Sequence, residues 1–570
     1  MGGTTPRSDE LLADDASAKS SACDNDFWIF RDGRQTLPGT KLLEELRASI
    51  CALSNPGSNS TDLLNALIRA GELEAGLADA GSSTSAAVAK LADGLAGVLY
   101  GEPLDYAKVS FPANVSAAQQ VEISPPEGFS YYALHPSDFG RLALVVHTSK
   151  KPAAIIGIRS IGTTLSAIAR AALASAGIPA ARITVRPTGH PYQRKLRFTT
   201  SETAWIKEQK SLDAMFLVVD EGPGRSGSTF LSVAEALLAA GVDHQRITLL
   251  GSRQPDLNQL CAEDGARRWN MFRFEAVDPD THSRFQKYTY IGGGEWRKFF
   301  IRDVGLWPVC WPQMERLKFI SPDRHCFWKF EGMGRLGDQA QTCNRILSAA
   351  GFGIMPEDGG AGFASYPIIA GETLHRKHLS RFLLERFLHY LAVRMVEFRV
   401  SGVRANPLSQ MLTFNVQHEF GVEIRLHDLE SSTCILTDGR MQPHEWIGTA
   451  EGTILKTDAC THGNDHFFPG PCDIAWDLAG MAVEWELDSG EIDTALLLFH
   501  QLTGDLVTPR FPAYALAYSV FRMGCCRMAL STVNTNEAFR LRAAAVSYRK
   551  HAAHWLRRVR NSLGRTRLAS

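Results

Sequence analysis

The sequence predicts an α/β fold in two main parts, a parallel-sheet domain followed by an α+β domain. Three observations carry this. From about 131, short apolar runs alternate with helical patterns, the order that builds a parallel sheet with right-handed crossovers. Inside that region an apolar strand at 214–219 ends in two adjacent carboxylates, Asp220 and Glu221, and then meets a glycine- and hydroxyl-rich turn and a helix. Near 313 the composition shifts to two aromatic strands of a hairpin, and long helical patterns follow.

The chain of 570 residues suffices for two or three domains with sizeable cores. Hydrophobic residues at 45% and charged ones at 21% are ordinary for a globular protein, and a net charge of −1 argues against a nucleic-acid partner. Eleven scattered cysteines without a C-x-x-C pair argue against a zinc cage or disulfide scaffold and fit a reducing compartment. No apolar run reaches the ~18 residues of a membrane helix. The polar N-terminus has no apolar core of a signal peptide. A cytoplasmic protein with no membrane contact is expected.

Residues 1–25 are small and polar and are expected to be disordered. Residues 26–130 open on Phe27, Trp28 and Phe30 and then read as a helical cap. Leu63, Leu64, Leu67, Ile68 and Leu73 fit one helix face, and Val88, Leu91, Leu95 and Val98 another. Strands are expected at 142–147, 153–158, 182–186, 214–219 and 246–251. A helix after the loop 157–164 stops at Gly177, and a helix spans 230–240. Between them, 187–197 is a basic loop carrying His190, Arg194, Lys195 and Arg197. Ligands of such sheets bind at the carboxyl ends of the strands.

The turn after Asp220 and Glu221 contains Gly222, Gly224, Arg225, Ser226, Gly227, Ser228 and Thr229. It can aim backbone N–H groups and hydroxyls at a phosphate on a helix N-terminus. It is neither a Walker loop nor a G-x-G-x-x-G fingerprint. It resembles the 5-phosphoribosyl-1-pyrophosphate (PRPP) motif of type I phosphoribosyltransferases, in the variant D-E-G-P-G-x-S-G-S associated with tellurium-resistance gene clusters. Its spacer is one residue longer than usual. The loop 157–164 stands where the pyrophosphate loop of that family stands, and 187–197 where its flexible loop stands. The resemblance implies a phosphoribosyltransferase-like domain over 131–312. Asp220 and Glu221 would be catalytic, holding the ribose hydroxyls, and the turn from Gly222 to Thr229 would bind the 5-phosphate. Arg159, Ser160, Ile161, Gly162 and Thr163, with magnesium, would hold the pyrophosphate, and Lys195 or Arg197 would close over it. Transfer of this kind rests on positioning and on stabilising the departing charge.

The remaining 313–570 carries a second pattern. Lys329 stands in an alternating strand, Phe327-Trp-Lys-Phe330, followed by Gly332, Gly334 and Gly337. Farther on come Leu436-Thr-Asp-Gly-Arg-Met-Gln-Pro-His-Glu-Trp446, a strand ending in Asp458, and Asp473-Ile-Ala-Trp-Asp-Leu-Ala479. These resemble aminoglycoside-phosphotransferase-like and choline-kinase-like proteins. The resemblance implies Asp438 as base, Asp458 as metal ligand and Lys329 on the ATP phosphates. There is no H-G-D, Pro443 stands where the metal-binding Asn is expected, and His444 or Glu445 would replace it. No Glu lies in the helix after Lys329 to pair with it. His462-Gly-Asn-Asp-His466 reads as a polar loop near that site, and the last helix is basic on one side.

The expectation is thus a transferase that uses PRPP and magnesium on a nucleoside- or nucleotide-like metabolite, with a kinase-like domain behind it. One alternative is an ATP-dependent small-molecule kinase whose first domain senses PRPP. Another is a non-catalytic nucleotide-binding regulator.

Overall fold

The computed structural model describes residues 29, 33–55, 58–105, 109–112, 115, 119–278, 281–400, 408–426, 429, 433–464, 467, 470–530 and 532–569. The expectation for 1–25, and Asp465 and His466 of the polar loop, lie outside them.

Three helices come first: α1 (Gly39–Ala52), α2 (Ser60–Asp79) and α3 (Ser85–Val98), alongside the antiparallel pair β1 (Gln35–Pro38) and β2 (Gln120–Ile123). Asn59 caps α2, its side chain accepting from the N–H groups of Thr61 and Asp62. Helix α4 (Pro136–Val146) follows. A strand was expected at 142–147, and this is corrected. Pro136 at the first helical position, the His135 cap, and Phe139, Ala143 and Val146 buried at intervals of four and three make one helix.

The parallel sheet is built from β3 (Ala153–Ile158), β4 (Ala180–Val185), β5 (Met215–Val219), β6 (Ile247–Gly251) and β7 (Arg273–Ala276), in the order β4-β3-β5-β6-β7. Helices α5 (Ile161–Ser175), α6 (Thr200–Ser211) and α7 (Ser228–Ala239) connect them. All six residues of β3 are buried, as a strand covered on both faces requires. The N-terminal helices pack on α5, where Leu67, Leu77 and Leu95 meet Ala167, Ile168 and Ala171.

A second sheet has the order β11-β12-β10-β9-β8, from β8 (Thr289–Tyr290), β9 (Lys318–Ile320), β10 (Cys326–Phe330), β11 (Glu357–Gly360) and β12 (Phe363–Pro367). Its first strand comes from the stretch read with the preceding domain. Helix α8 (Gly334–Ala349) covers this sheet. Then come β13 (Gly371–Thr373), α9 (Arg381–Glu397), β14 (Arg399–Val400), α10 (Leu408–Phe420), β15 (Cys434–Ile435), β16 (Trp446–Thr449) and β17 (Ile454–Lys456). Four helices close the chain: α11 (Ala475–Glu484), α12 (Ser489–Thr503), α13 (Phe511–Leu530) and α14 (Thr535–Ala569). Their core holds Trp446, Trp476 and Trp485, all fully buried, each worth roughly 1.5–3 kcal/mol of hydrophobic burial.

Helix α2 also ties the two sheets together. Arg69 pairs with Asp338 of α8, Arg335 bonds Glu72 at 3.1 Å, and Asn65 accepts from the Gly334 N–H at 2.9 Å.

Candidate active site

β10 and β17 converge on a chamber of about 310 Å³. Alternation along β10 turns Phe327, Lys329 and then Glu331 to the same face, and all three border the chamber. The Lys329 ammonium pairs with the Asp458 carboxylate, donates to the Thr461 hydroxyl at 3.0 Å and lies 3.7 Å from Glu331. Glu331 is itself held by the Asn344 amide of α8 at 2.8 Å and by the Tyr366 hydroxyl at 2.5 Å. Sequence reasoning looked for the lysine's acid in the following helix. The acid stands two residues along the strand, and the helix supplies the amide that orients it.

Asp458 follows β17 in a left-handed backbone conformation, φ 54°, which is uncommon for a non-glycine residue and clusters at functional positions. Burial alone would raise its carboxyl, but His462, Lys329 and Lys318 hold it well below the usual range. The His462 Nε2 lies 3.3 Å from it and the Lys318 ammonium 3.8 Å. Gly463 makes this approach possible, because a Cβ there would lie 1.6 Å from the Thr437 carbonyl oxygen. With Nε2 facing Asp458, the His462 Nδ1 is buried without a hydrogen-bond partner, 3.7 Å from Glu445. Burial first, and Arg440 second, keep this imidazole below its ordinary pKa.

The Lys456 ammonium lies between two carboxylates, 2.9 Å from Glu445 and 3.1 Å from Asp438. Burial would discharge it, but these two acids keep it charged. Asp438 was expected to be the base. It is 0% exposed and lies behind the chamber wall. Its oxygens are taken by the Tyr390 hydroxyl at 2.5 Å, by Lys456, and by the N–H groups of Arg440 at 3.3 Å and Met441 at 3.2 Å. Asp438 anchors charge and shapes the turn. Asp477, in the first turn of α11, completes it by accepting from the Asp438 and Gly439 N–H groups at 2.8 and 2.9 Å. Burial, then the neighbouring Asp438, push the Asp477 carboxyl up to about 6.

One ligand atom each from Asp438, Glu445 and His462 lies within 4.8 Å of the others, but the Lys456 ammonium already sits between the two acids. Of the carboxylates that border the chamber, Glu445 and Asp458 lie one on each side of His462, and hard oxygen donors of this kind suit magnesium. His444 was expected as a ligand beside Glu445. Its ring stacks on Trp296 instead, centroids 5.5 Å apart, and burial first, then Lys456, depress its pKa to about 3.

Residues 291–314 wall the front of the chamber. The buried Arg297 guanidinium grips Glu537 of α14 at 3.1 and 2.9 Å, and Glu537 also accepts from the Cys310 N–H at 2.7 Å. Glu315 accepts from the Trp296 indole at 2.6 Å and pairs with Lys318 at 3.1 Å.

At the carboxyl edge of the parallel sheet, Asp220 and Glu221 follow β5 and lie beside the first turn of α5. A Cβ on Gly162 would stand 2.6 Å from the Val219 carbonyl oxygen, so only glycine allows this approach. Glu221 accepts from the Gly128 N–H at 2.8 Å, and Asp220 from the Glu221 N–H at 2.9 Å. Burial above all raises both acids, Asp220 to about 7 and Glu221 to about 8. Several other groups of this edge are engaged within the protein. Arg159 bonds Asp79 at 3.0 Å and the Thr184 carbonyl at 3.1 Å. Ser160 takes φ 102°, Ile161 is buried, and the Thr163 hydroxyl is buried without a partner. The Ser226 and Ser228 hydroxyls both donate to the Pro191 carbonyl, at 2.9 and 2.6 Å. The Arg225 carbonyl accepts from the Cys261 N–H at 3.0 Å. Gly222 and Gly224 shape the turn, Gly227 caps α7 and Thr229 lies in its first turn. Lys195 and Arg197 are exposed in the basic loop.

Sequence reasoning brought Lys329, Glu445 and Asp458 to one place and missed Lys318, Lys456, Arg394, Arg440 and Thr461 around them. Each of these is a single polar residue whose spacing carries no signal, although the Lys456-Thr-Asp458 sequence placed one of them beside a residue already singled out.

No family model matches the chain, and no curated protein matches it. Among solved structures, part of the chain is similar to choline kinase LicA from Streptococcus pneumoniae, at 13% identity and a TM-score of 0.30, covering 41% of this chain and 89% of that one. LicA in complex with AMP gives 14% identity and a TM-score of 0.30 over 42% and 88% of the two chains. The ethanolamine kinase of Plasmodium vivax gives 9% identity and a TM-score of 0.29 over 42% and 81%.

Proposed function

We propose that the chamber transfers the γ-phosphoryl group of ATP to the hydroxyl of a small molecule. One observation carries this reading: a strand lysine, Lys329, meets the carboxylate that ends a second sheet, Asp458, inside an enclosed cavity bordered by Glu445 and His462. Phosphoryl transfer needs little more than positioned cations around the phosphates and a placed acceptor. Lys329 and Lys318 would gather the phosphates. Glu445 and Asp458 would hold magnesium, which neutralises phosphate charge when bound. The acceptor oxygen bonds to the γ-phosphorus, the bond from that phosphorus to the bridging oxygen breaks with its electron pair staying on ADP, and the hydroxyl proton passes to the free Nδ1 of His462. Asp458 orients that ring through Nε2.

The test is ADP release from magnesium-ATP by the full chain. Asp458→Asn and Lys329→Met are each expected to cut kcat/KM by about 100-fold or more. Wild-type turnover by Asp458→Asn would refute the reading.

A second reading, a PRPP site at the parallel sheet, is favoured by the contact between the Asp220–Glu221 pair and the first turn of α5. It predicts a thermal shift with magnesium plus PRPP that Asp220→Asn with Glu221→Gln removes. An unchanged shift in the double variant would dismiss it.

A further inference from the structure

The charged groups that border the chamber are almost all committed. Each carboxylate is paired with a lysine, and Lys329 serves two of them. Glu315 pairs with Lys318 at 3.1 Å, Glu331 lies 3.7 Å from Lys329, Glu445 pairs with Lys456 at 2.9 Å, and Asp458 pairs with Lys329. The cations are committed too, with one exception. Arg316 donates to the carbonyl oxygens of Ser130 and Glu331, at 2.8 and 3.1 Å, and lies over the Tyr131 ring. Arg522 lies 3.2 Å from Glu484 and bonds the Tyr548 hydroxyl at 3.0 Å. Arg440 borders the chamber as well. Among the described residues its guanidinium has no hydrogen bond, no ion pair and no ring beneath it.

Arg440 owes its place to the turn that Asp438 and Asp477 build. Its own N–H donates to Asp438 at 3.3 Å, its carbonyl accepts from the Tyr518 hydroxyl at 2.8 Å, and so its backbone is fixed while its side chain is free. It borders the same chamber as His462, whose Nδ1 has no partner, and it acts electrostatically on His444 and on His462. Lys318 and Lys329 come from the sheet opposite. A partly buried guanidinium without a counter-ion is a ready partner for a carboxylate or phosphate, which it can hold through two parallel N–H bonds.

Resting on the phosphotransfer reading above, we infer that the acceptor is an anionic hydroxyl compound, a hydroxy acid or a phosphorylated alcohol, whose anionic group sits on Arg440 while its hydroxyl faces His462. A cationic amino alcohol would find no uncommitted carboxylate in the chamber and would meet Arg440 with like charge.

The experiment uses the full chain with magnesium-ATP. ADP release is followed with D-glycerate, glycerol 3-phosphate, glycerol, choline and ethanolamine, and nucleotide binding is measured separately with a fluorescent ATP analogue. Turnover is expected with at least one of the two anions, and at least tenfold less with glycerol or either amine. Arg440→Gln should raise KM for the anion 10- to 100-fold while KM for ATP stays within twofold, and Arg440→Lys should recover part of the loss. Turnover of choline or ethanolamine as good as that of the anions would overturn the inference. So would an Arg440→Gln variant whose KM for ATP rises as much as that for the acceptor, or ATP binding with no response to either anion. Absence of nucleotide binding would instead overturn the phosphotransfer reading, and this inference with it.

Discussion

At the edge of the parallel sheet most groups that would meet a ligand already meet the protein, the Thr163 hydroxyl excepted, whereas in the chamber a titratable nitrogen and a guanidinium are left over among the described residues. Ser226 and Ser228 give their protons to Pro191, and Arg159 is held by Asp79 and Thr184. In the chamber, the His462 Nδ1 and the Arg440 guanidinium remain without partners although the acids around them are neutralised. The hydroxyls of a glycine- and hydroxyl-rich turn are readily satisfied by backbone carbonyls nearby.

The largest effect that would sharpen this contrast comes from Lys456→Met. It leaves Asp438 and Glu445 buried without their shared cation and should cost about 3–5 kcal/mol in urea denaturation. Arg159→Met, at the other edge, should cost only about 1 kcal/mol, because Asp79 keeps solvent access. Equal losses would break the comparison.

The acid pair sets the next effect, through pH. Asp220 and Glu221 have pKa values raised from 3.8 and 4.5 to about 7 and about 8. The folded state therefore binds more protons than the unfolded one between these limits, and stability falls as pH rises from about 4 to 8. Asp220→Asn with Glu221→Gln should flatten that fall, raising stability at pH 8 by roughly 1–2 kcal/mol when solvent access to both acids is allowed for. Thermal melts at pH 5 and pH 8 decide it, and a double variant with the wild-type slope would place both acids in water.

A comparable effect belongs to Ser226→Ala with Ser228→Ala. Loss of both bonds to Pro191 should cost about 1–2 kcal/mol and hasten proteolytic cleavage within 187–197. Unchanged cleavage would mean that the basic loop is held by other contacts.

Alternation of apolar runs with helical patterns sufficed to place β3 to β6; three of them, β3, β5 and β6, are buried along nearly their whole length, which leaves little freedom of composition. It failed at 142–147, where Leu-Val-Val closes a helix whose signals, Pro136 and Asp138, lie a turn and a half earlier. It failed again at β7, a short strand at the edge of its sheet. In the chamber, Lys329 and Asp458 were legible because each sits at a strand position with its own pattern. The cations that complete them were not. Lys318 reaches Asp458 across 140 positions of sequence, and nothing local to either marks that pairing. The surroundings of Asp438 were not legible for the same reason: its enclosure by Tyr390, Arg394 and Lys456 is a fact of packing.

The clasp between Arg297 and Glu537 joins positions 240 residues apart. A nascent chain can fold both sheets and most of the helical lobe while the front of the chamber still stands open, since its latch has not yet been synthesised. The wall formed by 291–314 therefore gains this anchor only after translation has passed the first turn of the last helix.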